Sequence, residues 1–202
     1  LRHSVNAGLA AARNTGIRTA RGDYIGYLDD DDIYYPEHVE TLVDFIIKNK
    51  VQVAYTDACR ATQSLVNGIW ETKERKVLYS MDFNNDTILI RNMFPVLCIL
   101  HEKKCIDTVG GFDESLKTHE DWDLWLRMSR KYALHHIKKI TAEYVVRRGT
   151  SEQMTTNPVS NFNETRKMIY QKYADLIKDR PDIIKEQEVE LMNNDPRMFQ
   201  EQ

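Results

Sequence analysis

An apolar run that ends in four consecutive aspartates constrains the fold of this chain more than any other feature. Residues 24–28 (Tyr-Ile-Gly-Tyr-Leu) have the length and composition of a buried strand, and residues 29–32 are all Asp. Pro36 then stands where a helix would begin, and apolar residues recur at helical spacing over residues 39–47. Residues 51–55 have the pattern of the next strand. Strand, helix and strand in this order predict an α/β fold built on a parallel sheet.

The four aspartates predict a cation site at the end of the first strand. Like charges a few ångströms apart repel by roughly 4 kcal/mol per pair at an effective dielectric of about 20, so a purely structural run of this kind would be costly. On an extended backbone Asp29 and Asp31 would point to one face, and Asp30 and Asp32 to the other. Ligands of open α/β sheets bind beyond the carboxyl ends of the strands, where Mg²⁺ or Mn²⁺ can link one or two carboxylates to a diphosphate.

Two other interpretations fit the aspartate run less well. A solvated acidic turn that also starts the following helix would seldom need four acids after a buried strand. An EF-hand calcium loop counted from Asp29 requires Gly at its sixth position, where Tyr34 stands, although Glu40 does fall at the twelfth.

The rest of the chain predicts shorter elements around this unit. Asn67-Gly68 is a hairpin turn between two β-compatible runs. The further elements that we expect are a strand over 96–100, a helix over 102–109 stopped by glycine, a helix around Trp122, strands over 134–137 and 141–146, a mobile polar loop over 149–161, and two amphipathic C-terminal helices.

Composition excludes several classes of protein. A formal net charge of −3 lacks the basic excess of a duplex-DNA binder, so we expect no nucleic-acid partner. Three cysteines without a close pair favour free thiols in a reducing compartment over disulfides or a zinc site. We expect no transmembrane segment and a cytoplasmic location, with peripheral contact at the inner face of the membrane as an option. Because the sequence begins Leu-Arg-His-Ser without an initiator Met, we also expect a fragment or a processed form.

Two stretches resemble the family 2 glycosyltransferases of the GT-A fold. The family patterns Ala-Arg-Asn-x-Gly, Ala-x-Gly-Glu/Asp-Tyr/Trp and Leu-Asp-x-Asp-Asp correspond to residues 12–16, 20–24 and 28–32. Residues 109–114 (Val-Gly-Gly-Phe-Asp-Glu) and 120–127 (Glu-Asp-Trp-Asp-Leu-Trp-Leu-Arg) resemble the acceptor-side segment and the Glu-Asp motif of the family.

The resemblance covers roughly residues 3–155 and implies an architecture. It implies a GT-A-like (Rossmann-like), mixed and mainly parallel sheet flanked by helices. We therefore expect a partial GT-A domain over residues 1–155, which lacks the first βαβ part, and a C-terminal helical extension over residues 156–202. The missing part holds much of the nucleoside base in the family, so we expect this chain alone to bind a donor weakly.

On the donor side, the resemblance implies a metal-dependent site for a nucleotide-diphosphate sugar, with a UDP-sugar as the first candidate. Asp31 corresponds to the metal-binding aspartate of the Asp-x-Asp motif, with Asp29 as the second metal residue and Mg²⁺ or Mn²⁺ as the cofactor. Outside this motif, Arg13 would be read as an ordinary helix-surface arginine. The donor-binding residues that the resemblance implies are Arg13, Asp29, Asp30, Asn6 and Gly8. Arg148 joins the expected donor-binding set for a different reason, because the sequence departs from the family pattern at that point.

On the acceptor side, Asp121 resembles the catalytic base of inverting members, with Glu120 beside it. A carboxylate within hydrogen-bond reach can take the proton of a sugar hydroxyl as it attacks. The alternative is that Glu120 and Asp121 only cap the following helix. Trp122 is expected to flank the acceptor sugar, whereas the helical spacing of Trp125 favours a place in the core.

The sequence departs from the family pattern late in the domain. Many members carry a His there that completes the metal shell, but residues 144–150 read Tyr-Val-Val-Arg-Arg-Gly-Thr. Arg147 or Arg148 can meet the diphosphate instead, although a plain pair of surface arginines explains them equally well. The Gln-x-x-Arg-Trp signature of processive synthases is absent from the sequence.

The leading hypothesis is an inverting, metal-dependent glycosyltransferase of hexosyltransferase type that adds one sugar to a glycan or lipid-linked acceptor in cell-surface polysaccharide biosynthesis. The competing hypothesis is a non-catalytic GT-A-like module that binds a sugar or a protein. A nucleotidyltransferase would also pair carboxylates with Mg²⁺, but the motif at Glu120 and Asp121 argues against it.

Overall fold

A six-stranded mixed sheet with helices packed around it forms the framework of residues 1–149 and 162–193, which the computed structural model describes. In chain order the strands are β1 (Tyr24–Gly26), β2 (Ile33–Tyr34), β3 (Val53–Val66), β4 (Ile69–Tyr79), β5 (Ile99–Glu102) and β6 (His135–Arg148). The helices are α1 (Leu9–Thr19), α2 (His38–Asn49), α3 (Thr87–Ile90), α4 (Lys104–Val109), α5 (Glu120–Ser129), α6 (Phe162–Lys172) and α7 (Pro181–Asn193), with 3₁₀ turns at Val96–Cys98 and Ala174–Leu176.

The strand order is β1-β5-β3-β6-β2, and β4 also pairs with β3. The α/β class, with helices flanking a mixed sheet, is confirmed. The pairings are mostly antiparallel rather than mainly parallel, because among the described strands only β3 and β6 pair in parallel. The β1–α2–β3 unit does make β1 and β3 run in the same direction, as predicted. A strand from later in the chain, β5, lies antiparallel between them.

Three long strands form an arm that extends from the rest of the sheet. The predicted hairpin joins β3 to β4 through Asn67 and Gly68, whose φ angles of 51° and 80° match the turn that such a pair favours. The two short strands expected over 134–137 and 141–146 are a single strand, β6, which pairs with β3 from Ala54 to Ser64. We call the paired parts of these strands the β3–β4–β6 arm.

The main core lies between the sheet and the helices of the second half of the chain. It contains Trp122 and Trp125, both with no exposed surface, and three isoleucines that follow the acceptor-side motif: Ile169, Ile177 and Ile183. The two C-terminal amphipathic helices are thus confirmed, as α6 and α7. All three cysteines are free and buried. Of the expected polar loop over 149–161, all but Gly149 lies outside the described residues.

Candidate active site

One cavity of about 580 Å³ brings the two motif-bearing stretches together. The turn after β1 supplies residues 29–32, and the first turn of α5 supplies Glu120 and Asp121. Arg13 of α1 lines the same cavity. Side chains that are remote in the sequence therefore share one site, as the order of the motifs predicts.

The four aspartates form a turn rather than an extended run. The Asp32 N–H donates to the carbonyl oxygen of Asp29 at 3.2 Å. The prediction of an extended run, with Asp29 and Asp31 on one face, was therefore wrong. A turn can place all four carboxylates around one cavity, and all four line this one. Asp32 also accepts the N–H of Val145 at 2.9 Å, which ties the turn to β6.

Arg13 joins the aspartate turn to the Glu-Asp motif. Its Nη2 donates to both carboxylate oxygens of Asp29 at 2.8 Å, and its Nη1 donates to Oε1 of Glu120. The side chain is 9% exposed. Burial disfavours its charge, but the Asp29 and Glu120 carboxylates raise the pKa of Arg13, so the guanidinium stays charged.

The Asp121 carboxylate is held from two directions and is partly exposed. One oxygen accepts the Trp122 N–H at 2.7 Å, and the other accepts Nδ2 of Asn92 at 2.9 Å. Burial raises the pKa of Asp121, while Arg13 and these two hydrogen bonds favour its ionised form. Burial also raises the pKa of Glu120 to about 7, with the Asp121 charge adding to the effect and Arg13 opposing it. An oriented carboxylate with a raised pKa is suited to take a proton.

His119 sets the backbone geometry at the start of α5, although its spacing from other residues predicted no metal site. Its φ of 57° lies in the left-handed region, which is uncommon for a residue other than Gly. Its ring meets Trp122 edge-on at 5.4 Å and Phe162 at 5.2 Å. Burial lowers the pKa of His119 to about 4, helped by the charge of Arg166. The strained turn therefore presents a neutral imidazole to the cavity beside Glu120.

Several of the predicted site residues lie elsewhere. Asn6 and Gly8 border a separate recess beside α1, where the Gly8 N–H donates to Oδ1 of Asn6 at 2.9 Å. Arg148 is exposed at the end of β6 and is not among the residues lining the cavity. Trp122 is fully buried and donates Nε1–H to the carbonyl of Ile88 at 2.6 Å. The prediction that Trp122 flanks the acceptor was wrong, because a buried ring leaves no face for a sugar.

Sequence reasoning missed three polar side chains of the cavity wall: Tyr79, Asn92 and Tyr144. They come from the end of β4, the segment after α3, and β6, none of which carries a motif. Only the pairing of β4 and β6 with β3 brings both tyrosines near the Glu-Asp motif.

Asn14 explains why the Ala-Arg-Asn-x-Gly motif and the Gly-Gly-Phe-Asp segment occur together. Its side chain accepts the Phe112 N–H at 2.8 Å and donates to the Phe112 carbonyl at 2.9 Å. A Cβ at Gly111 would overlap Oδ1 of Asn14. The buried amide thus joins α1 to the segment that leads into α5, and this joint sets Arg13 opposite Glu120.

The donor set suits a hard cation that completes its coordination with substrate oxygens. Among the described residues, no group of three or more His, Cys, Asp or Glu side chains converges on one point for a metal. Both carboxylate oxygens of Asp29, the expected second metal residue, accept hydrogen bonds from Arg13. Asp31, the expected first metal residue, borders the same cavity. Mg²⁺ and its analogues commonly use one or two carboxylates together with substrate phosphates, and the residues present fit that arrangement.

The fold is that of the GT-A glycosyltransferases. Solved structures of S. aureus TarS share the fold. The structure of TarS residues 1–349 superposes with a TM-score of 0.55 at 19% identity, over 83% of this chain and 45% of the TarS chain. Another, in complex with UDP-GlcNAc, gives 0.56 at 20% identity over 81% of this chain and 46% of that chain.

The chain belongs to glycosyl transferase family 2, whose sequence model matches residues 1–107. An uncharacterized glycosyltransferase of Rickettsia conorii is 30% identical over 83% of this chain and 28% of its own length. Chondroitin synthase of Pasteurella multocida is 26% identical over 90% of this chain and 21% of its own length. The chain thus spans less than a third of either relative. None of the helices in the described ranges is long and apolar enough to cross a membrane.

Proposed function

We propose that this protein transfers a sugar from a nucleotide-diphosphate sugar, with a UDP-sugar as the first candidate, to a hydroxyl of a glycan or lipid-linked acceptor, with inversion at the anomeric carbon. The observation that carries this proposal is the common cavity of the aspartate turn and Asp121, linked through Arg13. The family to which the chain belongs and the TarS complex with UDP-GlcNAc support the donor class.

The charge of the cavity supports metal dependence. Among the described lining residues, Arg13 is the one side chain with a permanent positive charge beside six carboxylates. Both of its η-nitrogens are already engaged by Asp29 and Glu120. A diphosphate would therefore meet a negative wall, and binding requires a cation that accompanies it. Asp31, with Asp30 beside it, would hold Mg²⁺ or Mn²⁺, which offsets the charge of the leaving diphosphate.

The acceptor side supports base catalysis by Asp121. Its carboxylate is fixed by Asn92 and by the first turn of α5, so its position is set before the acceptor arrives. It takes the proton of the attacking hydroxyl as the new glycosidic bond forms. Attack from the side opposite the diphosphate gives inversion. Glu120 pairs with Arg13 and supports the site without a proton-transfer role.

The test is Asp121→Asn in the full protein, with Glu120→Gln as the matched comparison. General-base assistance is typically worth about 10²–10⁴ in rate, so transfer should fall by that factor while donor affinity stays nearly unchanged. The substitution is close to isosteric and keeps an oxygen for the Trp122 N–H. Glu120→Gln should cost less.

Melting, UDP binding and transfer measured on the same three proteins separate the alternatives. Full turnover in a folded Asp121→Asn variant would rule out the base. A lowered melting temperature of the Asp121→Asn variant with turnover intact would show that Asp121 only caps α5. No transfer by the unmodified protein with any nucleotide sugar would leave the non-catalytic binding module.

A further inference from the structure

The face of the β3–β4–β6 arm that borders the cavity continues beyond it as a row of charged side chains. Arg60 of β3 lies opposite Lys76 of β4 and Tyr144 of β6, and side chains paired across strands share a face of the sheet. Tyr144 lines the cavity, and Tyr79 meets its ring edge-on at a centroid distance of 6.3 Å. The row therefore begins at the cavity wall.

We call Arg60, Glu74, Lys76 and Arg148 the basic strip. Within this strip three cations stand against one carboxylate. Glu71, which pairs with Ser64 on the same face as Arg148, is already ion-paired with Lys73 at 2.5 Å, so an excess of positive charge is left. Nζ of Lys76 lies 2.8 Å from Oε1 of Glu74. This hydrogen bond lowers the pKa of Glu74, and the charges of Arg60 and Arg148 lower it further, so all three cations lie within electrostatic reach of one carboxylate.

Arg60 connects the strip to the candidate base. Burial raises the pKa of Tyr79, and the negative charge of Asp121 raises it further. The positive charge of Arg60 lowers the pKa of Tyr79, so Tyr79 lies within electrostatic reach of both groups. Nε of Arg60 is buried and has no hydrogen-bond partner in the described part of the chain. Buried donors are normally paired, which marks this guanidinium as positioned for a further acceptor. A guanidinium suits the planar, two-point recognition of phosphate or carboxylate.

We propose that the basic strip binds an anionic group, a phosphate or a carboxylate, on the acceptor, while Tyr79 and Tyr144 lie against the acceptor sugar whose hydroxyl reaches Asp121. This inference rests on the proposed function for the word acceptor, but the binding that it describes needs no transfer. It gives Arg148 a place on the acceptor side instead of at the donor diphosphate.

The test uses the full protein without divalent cations and follows NMR shifts during titration with glucose 6-phosphate, glucuronic acid and methyl glucoside. We expect at least one anionic sugar to bind roughly tenfold more tightly than methyl glucoside, and this preference to weaken as salt increases. Preference for glucose 6-phosphate identifies a phosphate-bearing acceptor, and preference for glucuronic acid identifies a uronic acid.

The double variant Arg60→Gln with Arg148→Gln should lose about tenfold in affinity for the preferred anionic sugar and little for methyl glucoside. Lys76→Gln changes an exposed side chain and leaves the core intact, and it should lose a smaller part of this affinity. Lys48→Gln, an exposed lysine near the end of α2, is the matched control and should bind as the unmodified protein does.

Equal affinity for the neutral and anionic sugars, or unchanged affinity in both strip variants, would overturn the proposal. Binding to vesicles of phosphatidylglycerol and phosphatidylcholine without any response to the sugars would overturn it too, in favour of a membrane contact. UDP binding measured separately in the presence of Mn²⁺ distinguishes the two proposals. If the unmodified protein does not bind UDP even with Mn²⁺, the transferase assignment fails while the sugar titration stays interpretable.

Discussion

The aspartates of the motif-bearing stretches have different roles because their hydrogen-bond partners differ. Asp29 is held by Arg13 through both oxygens, and Asp32 by the Val145 N–H. Asp123, three residues along from Glu120, is fully buried and bonded to Arg127 and Tyr173, so it supports α5 from the side away from the cavity. Residue type alone could not separate these roles, since all of these residues are aspartates in motif-bearing stretches.

Asp31→Asn tests the cation at the scale of one residue. If Asp31 holds a cation bound to the diphosphate, the variant should lose at least about tenfold in UDP affinity in the presence of Mn²⁺. With a chelator, the variant and the unmodified protein should bind UDP equally weakly. Calorimetry on the full protein measures both. Asp23→Asn, on an exposed residue outside the cavity, is the control, and an equal Mn²⁺ response in Asp31→Asn would remove Asp31 from the cation site.

The raised pKa of Asp32 implies that the free energy of unfolding depends on pH. Burial raises its pKa to about 7, partly offset by the Val145 hydrogen bond. A carboxyl that is more basic in the folded state contributes stability in full below its unfolded pKa, near 3.9, and loses that contribution as the pH rises through the folded pKa. Asp32→Asn cannot ionise and keeps an oxygen for Val145.

The variant should therefore gain about 1–2 kcal/mol over the unmodified protein at about pH 8, after allowance for the partial exposure of Asp32, and less at about pH 5. Urea unfolding at the two pH values measures the difference. An equal gain at both values, or a loss at the higher one, would show that Asp32 is charged without cost in the folded protein.

At the scale of elements, the Asn14 amide joins α1 to the loop before α5. Asn14→Ala would leave the buried N–H and carbonyl of Phe112 without these partners, which should cost about 2–4 kcal/mol of unfolding free energy. Asn49→Ala removes an exposed bond to the Phe45 carbonyl and should cost well under about 1 kcal/mol. Chemical denaturation of the two variants gives the comparison.

Gly111→Ala completes this test as a double-mutant cycle. The added methyl group overlaps Oδ1 of Asn14, so Gly111→Ala should destabilise the unmodified protein. In the Asn14→Ala background the clash is gone and the same change should cost at least about 1 kcal/mol less. Strictly additive costs would mean that the loop relaxes away from α1 and that the amide does not fix its position.

The sequence predicted those elements that short stretches of residues specify by themselves. The Asn67-Gly68 turn, α2 and the two C-terminal helices follow from turn chemistry and periodicity. The place of β5 between β1 and β3 does not, because no residue within a strand specifies its neighbour. The same limit applies to the site, where motifs predicted Asp29, Asp31, Arg13 and Asp121. The missed side chains arrive through long-range contacts: the tyrosines through the pairing of β4 and β6 with β3, and Asn92 through its hydrogen bond to Asp121. The ring of Trp122 is likewise covered by Tyr170 of α6.

At the scale of the whole molecule, the C-terminal helices complete the core behind the site. Tyr170 of α6 donates to the Ile90 carbonyl at 2.6 Å, and Gln187 of α7 donates to the Leu89 carbonyl at 2.7 Å. Both acceptors belong to α3, which also receives Trp122 from α5. The first turn of α5, with Asp121, thus rests on a layer that the two helices cover. A boundary near residue 155 stays a prediction about domains, but folding should couple across it.

Ile183→Ala tests that coupling, with Ile184→Ala as its neighbour and control. Ile183 is 2% exposed and Ile184 is 38% exposed. The cavity left by Ile183→Ala should cost about 2–4 kcal/mol, whereas Ile184→Ala should cost less than about 1 kcal/mol. Because Trp122 contacts Tyr170 at a centroid distance of 5.8 Å, tryptophan fluorescence should report the same midpoint as far-UV circular dichroism in one cooperative transition. If Ile183→Ala instead splits the transition, with helical signal lost before the tryptophan signal, then α6 and α7 fold as a unit of their own and the support for Asp121 is local to α3 and α5.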